Sequence, residues 1–389
     1  MSNGKFERRG KEDKPVLAIC YDFDKTLSPD DMQSQGFIQS VGYKDVGEFW
    51  QKSNSLAAEN DMDQNLAYML MMSVEAEGSV ILKKESLRKY GAEIKLFHGV
   101  LDWFERINRY GEEKGVIIEH YIISSGLKEM IEGTPISAYF EKIYASSFYY
   151  NEKGVAKWPA QVVNFTNKTQ FLFRIEKGVL DINDQSVNDH FAPEDIRVPF
   201  RNMVYIGDSD TDIPCMKLVT SNGGYAIGVY NHDTMDKTKV HRMMRDNRIR
   251  FFAPTDYSEN SELDVLVKAI IDKTAFNEVL ENKYIASKQD SANSDLTDSE
   301  IKQRSKWIIA LDESRNFAST HLIIGELAQY IDKFTEEEIA ILFDTAVTNS
   351  QVYYILKDYD VKNFYGALLA AFKKDYINAD IVREKIDEK

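Results

Sequence analysis

Five short apolar runs mark the first two thirds of the chain, and helical periodicity fills most of the distance between them. The runs cover residues 16–20, 116–123, 203–206, 225–230 and 249–254. Apolar residues at helical spacing lie near 166–177, 234–246 and 260–272. Runs of this length predict buried strands, and the longer period predicts helices. Strands that alternate with helices predict an α/β fold in which helices cover both faces of a parallel sheet.

Two segments depart from this alternation. Residues 29–97, between the first and second runs, have helical periodicity almost throughout, which predicts a compact helical insert. The methionines Met69, Met71 and Met72 within it suit either packing in a small bundle, which we favour, or an adaptable substrate pocket. Residues 143–157 alternate around an Asn-Glu-Lys-Gly turn, which predicts a β-hairpin.

The C-terminal part of the chain differs from the rest, because strand signals end near Lys273. We expect an α/β core over 14–275, a polar linker over 286–296 and a helical module over 297–389. Capping-box patterns begin at Thr297 and at Thr335. The second precedes an amphipathic set, Ile339, Leu342, Phe343 and Ala346.

Composition narrows the class of protein. The chain has 389 residues, 43% of them hydrophobic, which suffices for a large core. A net charge of −15 and a pI near 5.0 argue against a nucleic-acid backbone as the main partner, although a local basic patch is compatible with them. Two cysteines give no disulfide framework. Without a secretory leader or an apolar run long enough to cross a membrane, we expect a soluble cytoplasmic protein.

Polar side chains follow three of the predicted strands at the point where each strand ends. They are Asp22 and Asp24 after the first run, Ser124 and Ser125 after the second, with Gly126 just beyond them, and Asp208, Asp210 and Asp212 after the third. Binding sites in parallel sheets form at the carboxyl ends of the strands, so we expect these groups to converge. In extended chain, Asp22 and Asp24 leave on the same face.

Converging carboxylates need a cation. Two carboxylates about 4 Å apart repel by roughly 4 kcal/mol at an effective dielectric constant near 20. A divalent cation bound between the carboxylates turns this repulsion into a net attraction. Mg²⁺ prefers carboxylate oxygens as ligands, often together with an oxygen of a substrate phosphate. Ser124 and Lys168 could then bind the other phosphate oxygens. Taken singly, Ser124 is better explained as a helix cap and Lys168 as a solvated lysine in the first turn of a helix.

The residues at the three strand ends, together with Lys168, resemble the four motifs of the haloacid dehalogenase superfamily. Asp22 to Thr26 (DFDKT) matches its first motif, DxDxT, Ser124 is similar to the second, Lys168 to the third, and Gly207 to Asp212 (GDSDTD) to the fourth, GDxxxD. The resemblance covers about residues 14–272 and implies a Rossmann-like core. The C-terminal helices lie outside it.

The resemblance also implies the roles of these residues. Asp22 would be the nucleophile that forms an aspartyl-phosphate, and Asp24 the general acid and base. Thr26 would orient the loop, and Ser124, Ser125, Gly126 and Lys168 would bind the phosphoryl group. The Mg²⁺ ligands would be Asp22, Asp24 through its backbone carbonyl, Asp208 and Asp212, with Asp210 as a further possibility.

The position of the helical insert implies a substrate lid of the first cap type. Residues 86–100 (SLRKYGAEIKLFHGV) resemble the return from cap to core in phosphoserine-phosphatase-like members. We therefore expect a Mg²⁺-dependent phosphatase of a small phosphorylated metabolite. The alternatives are a nucleotide phosphatase or a phosphotransferase, or a regulatory protein that senses a phosphorylated ligand. The C-terminal helices are candidates for contact with a protein partner or for oligomerisation.

Overall fold

The structure is a computed structural model that describes residues 6–293 and 299–388. These residues divide into two compact units. One is formed by Met1–Val187 and Ile196–Val279, and the other by Asn188–Asp195 and Leu280–Lys389. The boundaries predicted for the core, insert and helical module stay predictions.

The first unit is built on a seven-stranded sheet. Its strands are β1 (Val16–Tyr21), β2 (Ile117–Leu127), β3 (Phe140–Tyr150), β4 (Ala156–Gln161), β5 (Met203–Gly207), β6 (Tyr225–Tyr230) and β7 (Phe251–Pro254). The order is β4-β3-β2-β1-β5-β6-β7. All neighbours pair in parallel except β3 and β4, which form the predicted antiparallel hairpin.

Helices cover both faces of this sheet, which confirms the predicted fold class. The helices of the first unit are α1 (Phe37–Ser40), α2 (Val46–Glu59), α3 (Gln64–Glu75), α4 (Lys84–Ala92), α5 (Val100–Glu113), α6 (Lys128–Gly133), α7 (Thr169–Lys177), α8 (Ile213–Ser221), α9 (Thr238–Arg245) and the start of α10 (Glu262–Asn293). On β1, Leu17 and Ile19 join a core with α5, α10 and the insert, whereas Ala18 and Cys20 join one with α7, α8 and α9. Every β1 residue is buried, because both faces of the central strand are covered.

The helical insert between β1 and β2 contains α1 to α4. Asp63 caps α3, its carboxylate accepting hydrogen bonds from the backbone amides of Asn65 and Leu66. The methionines Met69, Met71 and Met72 are buried in the same hydrophobic cluster as one face of β1. Of the two interpretations of these methionines, the structure therefore shows packing.

Two boundaries differ from the sequence prediction. Strand β2 continues through Ser124, Ser125 and Gly126 to Leu127, and α6 begins at Lys128. Helix α10 continues to Asn293, so the described part of the polar stretch 286–296 is helical and not a turn. Local polarity did not reveal this helix, because polar residues are also common on exposed helical surfaces. The remaining linker positions, 294–296, lie outside the described residues.

The second unit has helices throughout its described part. Its helices after α10 are α11 (Ser299–Asp312), α12 (Phe317–Ala328), α13 (Glu336–Thr348), α14 (Ser350–Tyr354), α15 (Tyr359–Ala371) and α16 (Ile377–Asp387). The predicted capping box is present at Thr335 and Glu338, and Ile339, Leu342, Phe343 and Ala346 are buried as expected. Thr297 lies outside the described residues. Among the helices that the structure describes, none is long and apolar enough to cross a membrane.

Candidate active site

The ends of β2, β1 and β5 lie side by side at the carboxyl edge of the sheet. Tyr21 pairs with Ile122 on one side and with Ile206 on the other. The backbone amide of Asp22 donates a hydrogen bond to the carbonyl of Ile206 at 3.0 Å. Because Asp208 comes two residues after Ile206, parallel pairing brings the acids of the two motifs together.

Three carboxylates meet at this edge. One oxygen from each of Asp22, Asp208 and Asp212 lies within 4.8 Å of the others. Burial, reinforced by the charge of Asp212, raises the pKa of Asp22 to about 6 against the effect of Lys168. Burial and the charges of Asp212 and Asp22 raise the pKa of Asp208 to about 7. The cluster therefore holds negative charge at an energetic cost.

Hydrogen-bond donors surround the carboxylate of Asp212. Its Oδ1 accepts from Lys168 Nζ at 2.7 Å and from the Tyr205 hydroxyl at 2.8 Å. Its Oδ2 accepts from the Ser209 hydroxyl at 2.7 Å and the Ser209 amide at 3.1 Å. A Cβ on Gly207 would lie 2.6 Å from Asp212 Oδ2, so a side chain at position 207 would displace this carboxylate. Asp212 is thus held in one orientation by four donors.

Lys168 is fully buried at the N-terminal cap position of α7. Its ammonium bonds Asp212 and lies 3.3 Å from Asp22 Oδ1. Burial opposes ionisation, but the charges of Asp212 and Asp22 outweigh it and raise the pKa of Lys168 above its ordinary value. A lysine is unfavourable at the N-terminal, positive end of a helix, and here two carboxylates offset its charge.

Asp24 and Thr26 lie on the loop after β1. Asp24 Oδ1 accepts a hydrogen bond from the Met32 amide at 2.8 Å, and this side chain is not part of the three-carboxylate cluster. Burial, then the charges of Asp31 and Asp22, raises the pKa of Asp24 well above its ordinary value. The Thr26 hydroxyl is buried and has no hydrogen-bond partner in the described part of the chain. It is therefore an available donor.

The end of β2 supplies further donors. Ser124 Oγ is buried and accepts from the Gly126 amide at 3.1 Å. The Ser125 hydroxyl makes no hydrogen bond to any described residue, whereas the Ser125 carbonyl accepts from the Tyr68 hydroxyl of α3 at 2.8 Å. A Cβ on Gly126 would lie 2.2 Å from Met32 Cε and 3.0 Å from Asp24 Oδ2. A methyl group at position 126 would therefore require the ends of the Met32 and Asp24 side chains to move.

A divalent cation fits Asp22 and Asp208 better than the other acids. Asp22 Oδ1 is buried and accepts no hydrogen bond from a described residue, although it is ion-paired with Lys168 Nζ at 3.3 Å. Asp208 Oδ2 lies 3.7 Å from Lys239 Nζ, which is too long for a hydrogen bond. Asp212 already accepts four hydrogen bonds, and Asp210 is exposed and paired with Arg242 at 2.8 Å. Hard oxygen donors of this kind suit Mg²⁺.

Four residues at the site were not predicted from the sequence. Tyr205 and Ser209 orient Asp212, Tyr68 connects the insert to the end of β2, and Lys239 approaches Asp208. Ser209 could have been found from its place inside the GDSDTD motif. Tyr68 and Lys239 have no such local signal, because only folding brings them near the strand ends.

The fold and site define an α/β protein with a buried, lysine-bridged acidic centre at the carboxyl edge of a parallel sheet. A comparison with models of known protein families gives no match. A protein of Borreliella burgdorferi, described as uncharacterized, is 25% identical over 280 residues, which cover 65% of this chain and 95% of the relative.

A search of solved structures finds chains that are similar to part of this one. A HAD family hydrolase from Salmonella enterica serovar Typhi has 17% identity and a TM-score of 0.43, over 67% of this chain and 74% of that chain. A substrate-bound phosphoserine phosphatase has 14% identity and a TM-score of 0.40, over 66% and 98%. A probable phosphoserine phosphatase from Vibrio cholerae has 14% identity and a TM-score of 0.43, over 68% and 67%. At these TM-scores the likenesses carry no information on substrate.

Proposed function

We propose that this chain is a haloacid dehalogenase superfamily phosphatase that hydrolyses a small phosphomonoester through an aspartyl-phosphate and depends on Mg²⁺. One observation supports this most directly. A fully buried lysine joins the carboxylates of Asp22 and Asp212, beside Asp208 and the hydroxyl-bearing end of β2. The groups that meet here are the ones that the four sequence motifs supply.

Asp22 is the proposed nucleophile. A carboxylate oxygen of Asp22 attacks phosphorus while the bond from phosphorus to the ester oxygen breaks, and the leaving oxygen takes a proton from Asp24. The raised pKa of Asp24 supports this role, because the carboxyl group then retains its proton closer to neutral pH. Asp24 next removes a proton from water, whose oxygen attacks phosphorus and releases phosphate from Asp22.

The remaining side chains bind and orient the phosphoryl group. Ser124, Ser125 and Thr26 present hydroxyl groups at the strand ends, and the Gly126 amide lies beside them. Lys168 offsets charge on Asp22 and on the phosphoryl oxygens. Preorganised donors of this kind account for much of the rate enhancement of phosphoryl transfer.

Asp22 and Asp208 would hold the Mg²⁺ ion with their carboxylates, and the Asp24 carbonyl would join them as the family resemblance implies. When bound, the cation neutralises the carboxylates and polarises the phosphoryl group. We assign Asp212 a positioning role instead of direct ligation, because its oxygens already accept four hydrogen bonds. By accepting a hydrogen bond from Lys168, Asp212 holds the positive charge of the ammonium group in place beside Asp22.

The helical insert is the proposed lid. Tyr68 donates a hydrogen bond to the Ser125 carbonyl, and Met32 packs against Gly126, so the insert contacts the strand end that would bind phosphate. Lids at such sites exclude water and gate turnover. The three carboxylates of the cluster all belong to the first unit, and we assign the second unit no role in the chemistry.

Phosphate release from p-nitrophenyl phosphate tests the proposal. We expect hydrolysis with Mg²⁺, loss of it with a chelator, and loss of it in Asp22→Asn. Rapid acid quenching with a ³²P-labelled substrate should trap label on the wild-type protein and none on Asp22→Asn. Undiminished hydrolysis by Asp22→Asn would refute the mechanism.

A further inference from the structure

A cavity of about 290 Å³ lies beside Asp208. It is lined by two lysines, Lys25 and Lys239, and by two acids, Asp208 and Asp236, together with residues of β6 and of the loop that follows it. The cavity shares Asp208 with the acidic centre, which makes it a candidate site for the part of a substrate that lies beyond its phosphate. The groups in the cavity therefore bear on which substrate is accepted.

Two lysines approach this cavity from different elements. Lys239 Nζ, from α9, lies 3.7 Å from Asp208 Oδ2, which is too long for a hydrogen bond. Lys25 Nζ, from the loop after β1, bonds both oxygens of Asp31 at 2.9 and 3.0 Å. The positive charges of both lysines lower the pKa of Asp208, although burial and the neighbouring carboxylates raise it more. Each ammonium has three donors, so neither lysine has used its full capacity.

The backbone of Lys25 is held in an unusual conformation. Its φ angle is +58°, in the left-handed region that favours glycine. A lysine at this position has a conformational cost that a glycine would avoid. The side chain it carries lines the cavity beside Asp208.

The charge of α9 and the residues around it is opposite to that of the chain. Residues 231–250 contain six lysines and arginines and three acids, Asp233, Asp236 and Asp246, and so are net positive, whereas the whole chain has a net charge of −15. Arg242, Arg245 and Arg250 are exposed, and Lys237 and Lys239 are partly exposed. A positive surface at the mouth of a site attracts anions and raises their local concentration.

We propose that the substrate carries a second anionic group, a phosphate or a carboxylate, that binds Lys239 and Lys25 while its phosphoryl group faces Asp22. This inference rests on the proposed phosphatase function. It names a substrate class, a phosphomonoester with a further negative charge a few bonds from the ester. A simple aryl phosphate would use only part of such a site.

The structure also allows a simpler role for Lys239, in which it only offsets the charge of Asp208. The two roles have different consequences. Loss of a charge-offsetting lysine changes the binding of every phosphate ester by a similar factor, because all of them share the acidic centre. Loss of a lysine that binds a second anion weakens only those esters that have one.

Competitive inhibition of p-nitrophenyl phosphate hydrolysis separates these roles with three compounds of similar length. Glycerol 3-phosphate has no second anion, 3-phosphoglycerate has a carboxylate, and 1,3-propanediol bisphosphate has a second phosphate. We expect one or both of the latter to bind about tenfold or more tightly than glycerol 3-phosphate, as expected for a charge-assisted hydrogen bond. Which of them binds tighter distinguishes carboxylate from phosphate.

Lys239→Gln should reduce this preference about fivefold or more, measured as the ratio of inhibition constants. Arg245→Gln is the matched control, since Arg245 is exposed on the same helix and does not line the cavity. It should leave both the ratio and aryl phosphate hydrolysis within about twofold of wild type. Equal inhibition by all three compounds, or an unchanged ratio in Lys239→Gln, would overturn the inference.

Thermal shifts with the same compounds give a readout that does not require turnover. If p-nitrophenyl phosphate is hydrolysed but the three compounds stabilise the protein equally, the inference fails and the phosphatase function stands. If no hydrolysis occurs but the compounds with a second anion stabilise the protein more, the proposed function fails and the anion site stands.

Discussion

Replacing Asp22 with asparagine should stabilise the metal-free protein while abolishing its activity. The carboxylate of Asp22 lies within 4.8 Å of those of Asp208 and Asp212. At this distance two unit charges repel by about 3 kcal/mol at an effective dielectric constant near 20. Lys168 offsets part of this repulsion, and burial adds to the cost.

The pKa of Asp22 gives a second measure of the same cost. A rise from 3.8 to about 6 on folding corresponds to roughly 3 kcal/mol. Because the pKa is raised in the folded state, native Asp22 holds its proton more tightly than unfolded Asp22 does. Stability therefore falls as the pH rises from about 4 to about 6 and stays lower above that range. Asparagine removes this cost.

Thermal unfolding at pH 7.5 in a chelator is the assay. Since about 3 kcal/mol changes the Tm of a domain of this size by roughly 6 °C or more, Asp22→Asn should unfold at a clearly higher temperature than wild type. The difference should shrink at pH 4. Adding Mg²⁺ should raise the Tm of wild type more than that of Asp22→Asn, because the variant lacks one proposed ligand.

Glu112→Gln is the control, because it makes the same acid-to-amide change at an exposed position on α5. Its Tm should stay within about 1 °C of wild type, as surface substitutions usually do. A metal-free Asp22→Asn protein that unfolds below wild type would refute the electrostatic reasoning. Wild-type hydrolysis by this variant would refute the role of Asp22 as nucleophile.

Three further substitutions test separate parts of the site. Asp24→Asn should lower kcat for p-nitrophenyl phosphate by about 10²-fold or more. It should keep most of the rise in Tm that Mg²⁺ induces. An unchanged kcat would exclude Asp24 as the general acid. Lys168→Met should abolish hydrolysis and lower the free energy of unfolding by about 3 kcal/mol in denaturant titrations, because it leaves two buried carboxylates unpaired. A stability equal to wild type would contradict that pairing. Gly126→Ala should reduce kcat/KM at least tenfold, since its methyl group would lie 2.2 Å from Met32 Cε; unchanged kinetics would show that the loop adjusts freely.

The central strands of the sheet were predictable because they are buried on both faces. A strand covered on one face alternates apolar and polar residues, whereas β1 and β5 are apolar throughout and stand out from the helices between them. The end of β2 was harder to predict. Ser124 to Gly126 look like a helix start in sequence, but pairing with neighbouring strands keeps them extended to Leu127.

The acids of the site were predictable for a similar reason. Asp22 and Asp208 each follow an apolar run, and parallel strands place such positions on one edge. The division of labour among the acids was not predictable. Asp208, Asp210 and Asp212 have one residue between neighbours and are chemically identical, yet Asp212 accepts four hydrogen bonds and Asp210 pairs with Arg242 at the surface.

The sequence by itself determined which elements form and which carboxylates, hydroxyls and lysine lie at their ends, because local periodicity and strand burial are written into consecutive residues. Only the tertiary structure decided which of these groups meet. Lys168 lies 44 residues from Asp212 and bonds it at 2.7 Å, and Lys239 reaches Asp208 from another helix. Such contacts depend on the packing of whole helices against the sheet, which no stretch of neighbouring residues encodes.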